Sequence, residues 1–337
     1  MCYNGHMSTI KITKRPYGIR KDGKQVTEYI LDNGKISFSV MDHGAIILSI
    51  NVPDKDGKVG NVCLGFDNIG QYEEFPKHNF GSFVGRVANR ISNHAFELDG
   101  QRYELDDNNN SCCLHGGFDR YNHKFYDTEV GSDYVTFSRI SPDGEQGFPG
   151  NLKVSVRYRL TEDNGLEIYY EATTDKATPI NLTNHVFFDL SAGRDSDITK
   201  QLLWMENATK YLAVDEVMIP KSVEEVKGTR YDFVSDYKEF GFDGGFDNAY
   251  IFDKKPGIVR VGIAKDKISG RTMEIYTDQV SAQVYTGQNN KFPQHGPYSG
   301  FCFETQGYVN AINDNRFPSC VLRPGDKYTH TVIYKFI

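Results

Sequence analysis

Glu304 stands in the run Phe301-Cys302-Phe303-Glu304-Thr305-Gln306, a carboxylate flanked by apolar side chains. A carboxyl buried among such neighbours is costly unless partnered, and burial lifts its pKa from about 4.3 towards the range of a general base. The plain alternative is a strand-end glutamate turned to water, and residue types leave the two readings even. His185 lies in Asn181-Leu182-Thr183-Asn184-His185-Val186-Phe187-Phe188-Asp189-Leu190, a strand-like stretch with Thr183 and His185 on one face. A histidine among Leu, Val and Phe needs a partner when buried, whether it packs the core or moves a proton. His115 precedes Gly116 and Gly117, where backbone can approach a ligand closely, although a lone loop histidine is more often structural or solvated. Arg86, Asn89 and Arg90 fall within Gly85–Ile91. An Arg fork can hold sugar hydroxyls or a carboxylate, but surface ion pairs are the commoner use of arginine. Asp247 in Phe246–Tyr250, and Gln283 and Tyr285 in Gln283–Gly287, read by themselves as turn or strand-edge residues.

A carboxylate and two imidazoles suggest proton transfer, yet two histidines and a carboxylate are also a metal set. No HExxH or other tight ligand spacing supports a metal, and no GxSxG elbow supports a serine hydrolase. The expectation is chemistry with no metal and no cofactor. Formal net charge is −7 with scattered basic residues, which argues against nucleic acid. No run approaches the roughly 20 apolar residues of a membrane span. The start, MCYNGHMSTI, lacks an apolar signal core. Residues 1–10 read as a disordered or added terminus, with Gly5-His6-Met7 a cloning remnant, so His6 has no role. The six cysteines (Cys2, Cys63, Cys112, Cys113, Cys302 and Cys320) include no CxxC pair, which favours free thiols in a reducing, cytoplasmic compartment.

Those residues need a scaffold, and strict alternation predicts strands. Ile36, Phe38 and Val40 face one way. Leu152, Val154, Val156, Tyr158 and Leu160 alternate with polar residues, turn at Asp163-Asn164-Gly165, and resume at Leu166, Ile168, Tyr170 and Ala172. Two such runs joined by Asn-Gly predict a hairpin. A second hairpin is expected across Asp99-Gly100, between Phe96-Glu97-Leu98 and Tyr103-Glu104-Leu105, and a last strand over 328–336. Helical periodicity is weak, with a turn or two expected at 69–75 and at 222–227. Across 337 residues with 32 Gly and 12 Pro, no linker, repeat or composition break appears. One all-β domain over 1–337, a large antiparallel β-sandwich, is the expectation.

In chain order stand GRVANRI at 85–91, LHGG at 114–117, DGEQGFPGNL at 143–152 and NLTNH at 181–185. Ile219-Pro220, Gly228-Thr229, Asp232-Phe233 and DNAY at 247–250 follow, then QVYTG at 283–287, ETQ at 304–306 and LRPGDKY at 322–328. This ordered series resembles the aldose 1-epimerase (galactose mutarotase) family over nearly the whole chain. The resemblance implies that family's large β-sandwich with few short helices and a sugar groove on one sheet. It implies Glu304 as general base, His185 as general acid, and His115 as hydrogen-bonding partner of a sugar oxygen. Asn89, Arg90, Asp247 and Gln283 match positions that bind sugar hydroxyls, and Tyr285 is a weaker match. The implied reaction interconverts the α and β anomers of a free aldose such as galactose or glucose, with Glu304 ionised and His185 protonated. A carboxylate beside His185 would raise its pKa. A monomer or homodimer acting on a small molecule is expected. The chain departs from the family's pattern in a short segment after His115, where a longer one with tryptophan is usual. It also carries Asp189 at an asparagine place, and Gly307–Asn313 lacks a proline; these bear on substrate preference. The rival readings are a glycoside-processing enzyme, a hexose-6-phosphate 1-epimerase and a non-catalytic sugar-binding module. The phosphate version would want a basic cluster, and none stands out beyond Arg86 and Arg90. The non-catalytic version would predict loss of Glu304 or His185, and both are present.

Overall fold

The computed structural model describes residues 10–337. Its widest sheet has nine antiparallel strands in the order Asp127–Val130, Tyr134–Ser141, Leu152–Leu160, Gly165–Thr174, Tyr328–Phe336, Thr272–Thr277, Val259–Lys265, Leu202–Trp204 and Lys238–Glu239. A six-stranded antiparallel sheet runs Phe187–Phe188, Phe301–Gln306, Ser281–Tyr285, Asp247–Ile251, Lys210–Val214 and Pro220–Glu225. A five-stranded meander runs Lys11–Ile19, Gln25–Asp32, Ser37–Met41, Ile46–Pro53 and Val59–Asn61. One continuous apolar core holds residues from all three, from Ile10 to Phe336. The architecture is the all-β sandwich expected from the alternation.

The hairpin at Asn164 shows how period-2 patterning becomes packing. Leu160 pairs Leu166, Asn164 takes the left-handed φ of 66° that the turn needs, and the inward residues from Leu152 to Ala172 are at most 1% exposed. Each such aliphatic side chain contributes about 1.5–3 kcal/mol by leaving water. Asp99 and Gly100 have φ of 52° and 78°, as a two-residue hairpin turn of this hand requires. Asn68 caps the helix Ile69–Glu74 by accepting from the Gln71 N–H at 3.2 Å, and Ile69 and Tyr72 turn inward.

The helical expectation at 222–227 fails. Pro220–Glu225 is an edge strand, paired with Lys210–Val214. Its backbone is satisfied by that ladder, with Val223 left 41% exposed and Val226, just past the strand, reaching the core. Cys63, Cys112, Cys113, Cys302 and Cys320 are free thiols; Cys2 and His6 lie outside the described residues. Among the described residues no helix is long and apolar enough to cross a membrane.

One strand ties core and site together. In Phe301–Gln306, Phe301 and Phe303 enter the core, where the Tyr334 hydroxyl of the nine-stranded sheet donates to the Phe303 carbonyl at 2.9 Å. Alternation then directs Cys302, Glu304 and Gln306 to the opposite face.

Candidate active site

Register builds the floor of the site. Glu304 lies opposite Gln283, and Cys302 and Asp247 both lie opposite Tyr285. Residues directly opposite across an antiparallel ladder share a face, so Glu304, Gln283, Tyr285 and Asp247 project together from three adjacent strands. Gln283 Nε2 donates to Asp247 Oδ1 at 2.6 Å.

The walls come from shorter elements. Thr183–His185 pairs Ser82–Val84, and this bridge carries His185 over Glu304. His185 Nε2 is 3.6 Å from Glu304 Oε1, and His185 Nδ1 is 3.4 Å from Cys302 Sγ. Arg90–Ser92 pairs Cys112–Leu114, which sets Arg90 opposite Leu114. Past those ends Asn89 and His115 both turn left-handed, with φ of 62° and 53°. They hold each other: Asn89 N–H donates to His115 Nδ1 at 3.2 Å, and His115 N–H donates to the Asn89 carbonyl at 3.0 Å. With Nδ1 accepting, the neutral His115 ring carries its proton on Nε2. The next residue must be glycine, since a Cβ on Gly116 would stand 2.1 Å from the Gly85 carbonyl oxygen. Arg90 Nε donates to Asn109 Oδ1 at 3.0 Å, and Nη1 to Asn89 Oδ1 at 3.4 Å. The His115 and His185 rings meet edge to face at 5.4 Å.

All eight residues named from the sequence (Glu304, His185, His115, Asn89, Arg90, Asp247, Gln283 and Tyr285) line one cavity of about 180 Å³. Asn79, Leu114 and Asn289 line it too, and the sequence reading missed them. Nothing local distinguishes them; only the path of the chain brings them in. A larger cavity of about 370 Å³ among Ile180, Gly307, Tyr308 and Cys320 holds none of the eight.

Arg86 is neither a surface ion pair nor a groove residue. It is 2% exposed and donates to Ser141, Thr178 and the carbonyls of Ser141, Pro142 and Pro149. Asp189 is also structural: it accepts from Ser191 and Gly193 N–H groups and from Gln201 Nε2, shaping a turn away from the groove.

Electrostatics in the groove disfavour the ionised Glu304 and protonated His185 that the family resemblance implies. Burial lifts Glu304 well above 4.5, the negative charge of Asp247 lifts it further, and Arg90 opposes. Burial brings His185 down to about 3, with the Arg120 cation also lowering it. The 3.6 Å contact favours the charged forms, but desolvation of both groups is the larger effect. Both shifts favour the uncharged forms, a protonated Glu304 carboxyl beside a neutral His185. Burial likewise holds His115 far below 6.5 and raises Asp247.

One ligand atom each from His115, His185 and Glu304 all lie within 4.8 Å of one another. That is looser than donors around a single zinc, which sit about 3.3 Å apart for bonds of about 2.0 Å.

A model of the family described as aldose 1-epimerase matches residues 27–335. The chain is 37% identical to the galactose mutarotase of Rattus norvegicus, covering 97% of this chain and 99% of that one. It is 35% identical to the aldose 1-epimerase of Escherichia coli (strain K12), covering 91% and 93%. Among solved structures, a galactose 1-epimerase from Lactobacillus acidophilus NCFM superposes with a TM-score of 0.84 at 26% identity, covering 97% of this chain and 99% of that one. With that match over residues 27–335 and relatives aligned over nearly their whole length, the chain belongs to the aldose 1-epimerase family of isomerases.

Proposed function

We propose that the Glu304–His185 pair opens and recloses the ring of a free aldose such as galactose or glucose, and so interconverts its anomers. The observation that carries this reading is a buried carboxyl and imidazole 3.6 Å apart at the floor of a polar groove. Mutarotation breaks the C1–O5 bond of a hemiacetal. A base takes the proton of the C1 hydroxyl, and an acid protonates the ring oxygen as it leaves. The aldehyde turns about C1–C2, and the ring closes on its other face. One proton enters and one leaves, so the reaction needs no redox partner. The pair already holds one proton. Sugar hydroxyls donating to Glu304 favour its ionised form and move that proton onto His185, which produces the reactive state.

The other residues orient the sugar. His115 presents Nε2–H to a sugar oxygen, while Arg90 and Asn89 on one side and Asp247 with Gln283 on the other take the remaining hydroxyls. Such fixed donors and acceptors align C1 and O5 with the pair. Tyr285 closes the wall beside Cys302. The free thiols fit a reducing, cytoplasmic setting. Polarimetry of fresh α-galactose and α-glucose with purified protein tests the reading. Acceleration of both towards equilibrium is expected, and a decay no faster than in buffer refutes it.

A further inference from the structure

The groove does not end at its own wall. Asn79 and Leu114, which line it, also line a second cavity of about 290 Å³ whose surface includes Lys77, Asn109, Arg120 and His123, and no carboxylate. Asn109 of the second cavity also accepts from Arg90 of the groove, which links the two linings. Arg120 is the unusual member. It is 9% exposed and makes no ion pair among the described residues. Nη1 donates to Asn79 Oδ1 at 3.0 Å, Nη2 donates to the Lys77 carbonyl at 3.4 Å, and Nε is buried with no partner. Its neighbour in sequence, Asp119, turns to solvent and pairs with Lys124 instead. A guanidinium withdrawn from water with only neutral oxygens around it is costly, and an anion delivered by a ligand would offset that cost. Lys77 is exposed at the mouth and adds a second cation. No basic cluster was legible in the sequence because Lys77 and Arg120 are 43 residues apart.

The geometry also says which part of a sugar would reach this place. Gly81 N–H donates to the His185 carbonyl at 3.0 Å, so the Lys77–Gly81 segment runs beside His185. If His185 meets the ring oxygen, C5 is the neighbouring ring atom on the far side from C1. Its exocyclic C6 then leaves the ring towards Asn79 and the second cavity. We propose that this cavity receives an anionic group carried on C6 of the aldose, held by Arg120 and Lys77. The inference rests on the acid role of His185 given above. A hexuronate carboxylate and a hexose 6-phosphate share this chemistry. Neither group takes part in a bond change; each only anchors the sugar.

Anomer exchange is measured by NMR magnetisation transfer, which reads sugars that mutarotate quickly on their own. The substrates are glucose, glucuronate and glucose 6-phosphate, with the galactose series beside them. The proteins are wild type, Arg120→Gln and Lys77→Gln. In the wild type, kcat/KM for at least one C6 anion should exceed that of its neutral parent by about tenfold, the scale of one charge-assisted contact. Each substitution should pull that ratio towards one, mainly through KM, and 0.5 M NaCl should do the same. A preference for uronate over phosphate, or the reverse, identifies the source of the anion. A wild-type ratio at or below one overturns the proposal, as does a ratio unchanged in the variants. Should Arg120→Gln fail to fold, the exposed Lys77→Gln variant still decides. Failure of the parent reading is separable: His185→Asn with wild-type turnover of neutral sugars would remove that reading whatever the anion ratio.

Discussion

Glu304 Oε1 stands 3.6 Å from His185 Nε2, with 3% and 6% of the two side chains exposed. A base and an acid this close, and this dry, do not titrate independently. Moving their one proton from carboxyl to imidazole creates an ion pair without taking a proton from solvent. The surroundings set that balance: Asp247 and burial hold the proton on Glu304, and Arg90 together with the hydroxyls of a bound sugar release it.

Glu304→Gln should lower kcat/KM by about 100-fold or more, the usual scale of a general base, with an unchanged circular dichroism spectrum. The folded carboxyl has its pKa raised above that of the unfolded chain, so its stabilising contribution is lost as pH rises through the folded value. The variant escapes that loss, and its melting temperature should gain on wild type as pH increases. Near-normal turnover in the purified variant would remove Glu304 from the mechanism.

The pH profile of kcat/KM reports the free enzyme and should be bell-shaped. Its acid limb marks a second proton arriving on His185, displaced below 6.5 towards about 3. Its alkaline limb marks loss of the shared proton, displaced above 4.5. His185→Asn should be slow and should lose the acid limb. His115→Asn should be slower than wild type with both limbs kept. If His185→Asn loses the alkaline limb instead, the resting proton sits on the imidazole; if the limbs follow His115, the acid is the other histidine.

Exhaustive chelation should leave turnover intact, because the two rings and the carboxyl can transfer protons without an ion between them. Activity abolished by EDTA and restored by Zn²⁺ would make the His115–His185–Glu304 set a metal centre.

Cys302 Sγ, 3.4 Å from His185 Nδ1, can accept from Nδ1–H, which leaves Nε2 of the neutral ring free to take the proton of Glu304. Cys302→Ala leaves Nδ1 buried without a partner and should cost about tenfold in kcat with KM little changed. Cys302→Ser supplies a hydroxyl that donates or accepts equally well and should recover most of the rate. Equal activity in both variants would reduce the thiol to packing.

Arg86 should matter to stability and not to sugar preference. Arg86→Leu strips a buried network of five acceptors and should cost about 3 kcal/mol or more in urea unfolding, while the ratio of galactose to glucose turnover stays within about twofold. A changed sugar ratio at unchanged stability would return Arg86 to the groove.

What was legible in the sequence was local or ordered along the chain. Period-2 alternation placed the hairpins at Asn164 and Asp99-Gly100. The order of short motifs identified the family and the eight residues of the groove. Helical spacing misled at 222–227: Val223 and Val226 stand three apart, yet a strand partner decided the matter. Four things were settled only by the tertiary structure. One is the register that puts Glu304 beside Gln283 and Asp247 beside Tyr285. Another is the burial of Arg86, which looks like a surface residue in any sequence. A third is the arrival of Asn79 and Arg120, from separate loops, at the cavity beside the groove. The last is the downward shift of the His185 pKa, where a neighbouring carboxylate was expected to raise it and burial outweighs it. The reason is common to all four: side-chain facing depends on the neighbouring residue, whereas register, desolvation and charge pairing depend on segments distant in the chain.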